Sequence, residues 1–301
     1  MKKCLVTGGA GFIGSNLVDE LVRQGHQVVV IDNLLLGKRE YVNTKAKFHK
    51  LDIRDLKKIK PLFKGIDWVF HLAAFPRVQP SIVDPVTSND INLSGTLNVL
   101  VAARDVGVKK FIYSASSSAY GNQSKMPLRE DMPAHPISPY GLQKYVGELY
   151  CRLFSEIYGL PTVCLRYFNV YGPRQATEGA YCLVMGIFVR QRLNGKAMTI
   201  VGDGKQRRDY TSVFDVVRAN ILAAKSKRVG KGEVMNIGRG HNYSVNELAD
   251  MIGGPRVYLS PRIEPKETLA DNSLAKRLLG WKSNVDLPNW VRKYKKEIGL
   301  K

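Results

Sequence analysis

Tyr140 and Lys144, four residues apart in Tyr-Gly-Leu-Gln-Lys, are residue types at a spacing that could do chemistry. On a helix such a pair shares one face, so phenol and ammonium would address one site. A nearby positive charge favours phenolate over phenol, which brings the tyrosine toward acid/base work near working pH. The lysine can also hydrogen-bond a cofactor ribose, so both residues are expected to bind cofactor as well. Ser116 opens Ser116-Ser117-Ser118, just after an apolar segment that ends at Ser114. A hydroxyl there can hold a substrate oxygen and turn it toward the tyrosine. Ser117 is counted with Ser116 as substrate-binding, although Ser117 and Ser118 also read as a strand-end turn.

A second constellation is Gly8-Gly9-Ala10-Gly11-Phe12-Ile13-Gly14, placed between an apolar segment and an amphipathic one. Glycines there permit a tight turn and let backbone approach a pyrophosphate, which then meets the positive end of the following helix. Gly8, Gly11, Phe12 and Ile13 are the expected contacts. Asp32 follows Val28-Val29-Val30-Ile31, where a carboxylate accepts hydrogen bonds from both adenosine ribose hydroxyls and repels a 2′-phosphate. The expected cofactor is therefore NAD, with Lys38 and Arg39 close enough to soften the preference over NADP. Asn33, Asp52 and Ile53 would surround the adenosine, and Leu72, Ala73 and Ala74 would complete the cofactor wall.

The elements that must position these residues are strands at 3–7, 27–31, 68–72, 110–114 and 162–167, with helices at 15–23, 93–105 and 140–158 between them. Short apolar runs alternating with amphipathic helices predict an α/β fold, a Rossmann doubly wound parallel sheet. Beyond Tyr171 the chain turns glycine-rich and loop-rich, and 234–237 reads as one more sheet strand. The expected organisation is an NAD-binding domain, 1–170 with about 211–238, and a smaller, interleaved α/β substrate-binding domain, 171–210 with 239–301.

Composition bounds the function class. The chain has 301 residues, a net charge of +20 and four cysteines, none of them in a Cys-x-x-Cys pair. Free thiols and the lack of a signal or a membrane-length apolar run predict a cytoplasmic protein with no membrane partner. The lysines are dispersed and carry no zinc-finger or helix-turn-helix pattern, so no nucleic-acid partner is expected. An anionic small substrate suits the charge. The five histidines have no ligand spacing, so no metal is expected.

Five stretches carry a resemblance: GGAGFIG, HLAA at 71–74, SASSSAYG at 114–121, SPYGLQK at 138–144 and LRYFNVYGPRQ at 165–175. Together they resemble the extended short-chain dehydrogenase/reductase family, in its NAD-dependent epimerase/dehydratase group. Within it, the chain looks most like the UDP-glucose or UDP-N-acetylglucosamine 4-epimerase branch. The resemblance implies Ser116, Tyr140 and Lys144 as the catalytic set, with Asn169 near the sugar diphosphate. It implies Arg208 and Arg262 as phosphate-binding arginines, although Arg262-Ile-Glu-Pro265 is a residue shorter than the usual Arg-Pro-Gly-Asp/Glu. It also implies a homodimer built on helices 93–105 and 140–158.

The reaction so implied is 4-epimerisation of UDP-glucose and UDP-galactose, by transient oxidation to a 4-keto sugar. Thr268 stands where the family places a size gate, and its small side chain would admit UDP-GlcNAc and UDP-GalNAc. A nucleotide-sugar dehydratase needs Asp-Glu where this chain has Ser117-Ser118, and the related decarboxylases need a glutamate in the same loop. A reductase or 2-epimerase stays open, as does a glucuronate 4-epimerase with Arg77 or Arg207 pairing the carboxylate. A silent NAD-binding protein is the reading from another class, and the intact Ser116, Tyr140 and Lys144 weigh against it.

Overall fold

The structure is a computed structural model that describes residues 1–76, 78–176, 182–261 and 266–300. Seven strands form its central sheet: β1 Lys3–Thr7, β2 Gln27–Asp32, β3 Lys47–Lys50, β4 Trp68–His71, β5 Lys110–Ser116, β6 Thr162–Tyr167 and a last strand, Lys231–Ile237. All pairings are parallel, in the order Lys231–Ile237, β6, β5, β4, β1, β2, β3. Side chains alternate across a strand, and both faces are covered. Cys4, Val6, Val30 and Phe70 join one core, while Leu5, Val29, Ile31 and Val69 join the other. That two-sided burial is why these strands read as unbroken apolar runs.

Strand order reverses between β1 and β4, the place where a doubly wound sheet opens a ligand crevice. Thr7 is level with both Ile31 and His71, so Gly8, Asp32 and Leu72 emerge together on one rim. The first helix, Phe12–Arg23, starts three residues before the expected 15 because Gly11 is already its N-cap. β5 runs two residues past the expected 114 and so carries Ser116 as its last residue. The helix expected at 93–105 is the end of a longer run: helix Pro85–Asn89, a π turn at Asp90–Ser94, then helix Gly95–Asp105.

A third core lies beyond the sheet, where Tyr171, Phe188, Met198, Tyr210, Leu248 and Val291 pack together. It is built from helices Val184–Leu193, Val245–Ile252 and Leu287–Glu297 and from short strand pairs. Part of the chain beyond 239 packs back against the large sheet. Ala275, Leu279 and Trp281 pack in the core of the large sheet, and the Trp281 indole donates to the carbonyl of Asp215 at 2.9 Å. Buried Asp209 ties the segments further by accepting from the amides of Arg239, Gly240 and Ala270. Among the described residues, no helix is long and apolar enough to cross a membrane, and no group of three or more His, Cys, Asp or Glu is placed to hold a metal ion.

Candidate active site

Ser138 and Pro139 set the start of the long helix, Pro139–Tyr158. The serine Oγ accepts from the Gly141 amide at 3.1 Å, and proline at the first position needs no partner for a missing N–H. Tyr140 therefore lies in the first turn, its own amide donating to Ser81 Oγ at 3.1 Å. One turn on, Lys144 is 4% exposed, donates from Nζ to the Ser114 carbonyl at 2.8 Å and lies 4.9 Å from the Tyr113 ring centre. Burial pushes its ammonium down to about 8, against weaker support from Cys151 and Glu148. Ser116, at the end of the neighbouring strand, accepts from the Ser118 amide at 3.1 Å.

Tyr140, Lys144, Ser114 and Ser116 line one cleft of about 780 Å³ at the β1/β4 reversal. Its walls include Gly8, Gly11, Phe12, Ile13, Asp32, Asn33, Asp52, Ile53, Leu72, Ala73 and Ala74, together with Ser116, Ser117, Tyr140, Lys144 and Asn169. Gly8 has φ +71, and a Cβ there would lie 2.6 Å from the Ala73 amide nitrogen, so only glycine lets these two strand ends approach. Asp32 accepts from the amides of Ala10 at 2.9 Å and Leu34 at 2.8 Å, and burial raises its carboxyl against these bonds. Asn33 donates to Asp52, whose carboxyl is held at about 2, chiefly by Arg54.

Beneath the cofactor wall lies a network that fixes one histidine's tautomer. Thr96 Oγ1 donates to the Asn92 carbonyl at 2.6 Å, so His71 Nε2 must be the donor in its 2.9 Å bond to Thr96. His71 Nδ1 then accepts from Thr7 Oγ1 at 2.7 Å, and that oxygen accepts from the Ala73 amide at 3.2 Å. Full burial, helped by the Lys144 charge, drops His71 to about 3 and keeps it neutral. The chain of bonds holds Ala73 in place at the rim.

Other expected residues lie elsewhere. Thr268 and Arg208 are not among the cleft-lining residues. Thr268 stands one layer behind, its Oγ1 accepting from Asn169 Nδ2 at 3.4 Å. Arg208 donates from Nη1 to the carbonyls of Arg207 and Lys266. Arg207 is engaged by Asn242 and, at 2.9 Å, by Glu247. Arg262 and Arg77 lie outside the described residues. Arg174 and Gln175 also line the cleft; they close the stretch Tyr171-Gly-Pro-Arg-Gln175, whose residue types alone assign them no role.

The NAD dependent epimerase/dehydratase family matches residues 4–238 of this chain. The chain belongs to that family. A putative UDP-glucose 4-epimerase of Methanocaldococcus jannaschii is 40% identical over 297 residues, covering 96% of each chain. The UDP-glucose 4-epimerase of Thermotoga maritima, solved with UDP-glucose, superposes with a TM-score of 0.93 at 41% identity over 98% of this chain and 99% of that one. The UDP-N-acetylglucosamine 4-epimerase of Methanobrevibacter ruminantium, solved with UDP-N-acetylmuramic acid, gives a TM-score of 0.93 at 37% identity, over 99% and 97% of the two chains. The family's cofactor is NAD, and this member's cleft fits it: a cradle at Gly8 that a Cβ would fill, the open first turn of a helix for the pyrophosphate and a carboxylate at Asp32 for the ribose.

Proposed function

We propose that this family member is a UDP-sugar 4-epimerase acting on UDP-glucose and UDP-galactose, and on their N-acetylated counterparts, through a transient 4-keto sugar. The observation that carries the reading is the shared cleft. Ser116, Tyr140 and Lys144 line the same walls as the glycine loop and Asp32, and serines occupy 117 and 118, where elimination of water needs acid and base. The Tyr140 phenolate takes the proton of the C4 hydroxyl and later returns it. Lys144 favours that phenolate by its charge, and Ser116 holds the sugar oxygen in line. When bound, NAD supplies the redox chemistry, accepting hydride from C4 and giving it back. The keto sugar turns about its phosphate linkage between the two half-reactions, so the opposite face receives the hydrogen.

In this reading 1–170 with 211–238 holds NAD, and 171–210 with 239–301 holds the sugar nucleotide. Asn169 lies near the diphosphate, and Arg208 and Arg262 pair with it. Thr268, hydrogen-bonded to Asn169, is the gate position whose small side chain would admit an N-acetyl group. Engagement of Arg207 by Glu247 and Asn242 works against a carboxylate partner there. Turnover of UDP-glucose, UDP-GlcNAc and UDP-glucuronate, compared under identical conditions, tests this. The first two should be epimerised with the glucuronate the poorest, and a preference for the glucuronate would contradict the reading. We also infer a homodimer, because Leu142, Leu153 and Ile157 leave an apolar stripe exposed on helix Pro139–Tyr158.

A further inference from the structure

The segment after β6 carries two of the three non-glycine residues at positive φ among the described residues. Asn169 has φ +28 and Arg174 has φ +68, and the glycine between them, Gly172, has φ +145. Non-glycine residues in this region are strained and persist where the surroundings over-determine them, often at ligand clamps. The surroundings here are specific. Asn16 of the first helix donates to the Pro173 carbonyl at 3.1 Å, Asp19 of the same helix pairs with Arg174 Nη2 at 2.7 Å, and the Gln175 amide donates to the Gly172 carbonyl at 3.3 Å.

That geometry leaves buried polar atoms of two side chains without a hydrogen-bond partner. Gln175 is 8% exposed, and neither its Oε1 nor its Nε2 has a hydrogen-bond partner. Arg174 Nη1 is buried and equally without one, although Nη2 is engaged by Asp19. Buried polar groups are nearly always paired, because leaving one unmade costs the full desolvation penalty. Both residues line the cleft, and both are tied through their segment to the helix whose first turn offers the amides of the anion site.

We propose that Arg174 and Gln175 are a second clamp on the dinucleotide, with Arg174 Nη1 and Gln175 Nε2 donating to its pyrophosphate and Gln175 Oε1 accepting from an adjoining ribose hydroxyl. The chemistry matches the atoms left over: two donors for an anion that only accepts, and one acceptor for a hydroxyl that can donate. The glycine loop and Asp32 then hold the cofactor from one segment, and the strained loop holds it from another. This rests on the NAD-dependent reading above.

Binding and stability measurements on the whole chain separate the possibilities. Wild type, Gln175→Ala, Gln175→Glu and Arg174→Gln are each titrated with NADH by fluorescence and with UDP by calorimetry, after resident nucleotide has been removed. Gln175→Ala should weaken NADH about tenfold, the loss of one or two hydrogen bonds. Gln175→Glu should weaken it further, since it removes a donor and adds a charge that a pyrophosphate repels. Arg174→Gln should weaken NADH about tenfold and flatten its salt dependence. UDP affinity should move less than twofold throughout. Without nucleotide, Gln175→Ala should melt no lower than wild type, because it removes a polar group that had no partner. Its melting rise on adding NADH should shrink.

NADH affinities within twofold of wild type in all three variants would overturn the clamp. So would loss of UDP affinity with NADH unchanged, which would assign the pair to the sugar nucleotide. A lowered melting point in nucleotide-free Gln175→Ala would make the residue structural. Failure of wild type itself to bind NADH would instead overturn the underlying NAD-dependent reading.

Discussion

Lys144 is a cation that burial has weakened. Because its pKa is lowered to about 8, the charged form is present below that pH and is lost as pH rises through it. In the proposed reaction the Tyr140 phenolate depends on that charge, so kcat/KM should fall on an alkaline limb near pH 8, read from the pH profile with UDP-glucose. A profile flat to pH 10 would separate Lys144 from the proton transfer. Tyr140→Phe should lower kcat by about 10²–10⁴-fold while UDP-sugar and NADH binding persist, and steady-state kinetics beside calorimetry check both halves. These residues were legible because their chemistry is local: tyrosine and lysine one helical turn apart, a serine at a strand end. Arg174 and Gln175 were not, since being buried without a partner is a property of the folded surroundings and leaves no mark on residue type. Thr268 shows the converse. Its place in the family pattern suggested a gate on the sugar, and in the fold its Oγ1 accepts from Asn169 Nδ2, a contact that residue type does not announce.

At the scale of elements, the end of β4 carries a titration that bears on stability. His71 is held neutral by burial, with a folded pKa of about 3 against 6.5 ordinarily. The unfolded chain therefore binds the extra proton first, so this contribution to stability is complete above pH 6.5 and is lost as pH falls toward 3. From pH 6.5 to 5 the loss is about 2 kcal/mol. His71→Gln removes the titrating group, so its stability deficit relative to wild type should shrink by about that amount over the same interval. Urea unfolding at both pH values measures it, and the comparison cancels every other titrating group. A deficit independent of pH would mean that His71 is not the neutral, bonded residue described. Element types were readable from apolar runs and helical periodicity, and the end of the long helix from Gly159, which adopts φ +66. The π turn at Asp90–Ser94 was not readable. It brings Asn92 to the Phe75 backbone and to Gln143, contacts made 17 and 51 residues away in sequence.

At the scale of the whole molecule, the inferred dimer rests on the exposed Leu142, Leu153 and Ile157 of helix Pro139–Tyr158, the helix that also carries Tyr140 and Lys144. Sedimentation should show a dimer for wild type and a monomer for Ile157→Glu, and a wild-type monomer at micromolar concentration would contradict the inferred assembly. The doubly wound sheet was legible because parallel strands buried on both faces leave long apolar runs in the chain. How the smaller part meets it was less so. Ala275, Leu279 and Trp281 return to the large core, a fact set by Asp215 and by packing among distant segments. The central claim is that one cleft oxidises C4 and gives back the same hydrogen. Proton NMR of UDP-glucose incubated with the protein in D2O tests it most directly. The account predicts UDP-galactose that keeps protium at C4, and deuterium at C4 or an absence of UDP-galactose would contradict it.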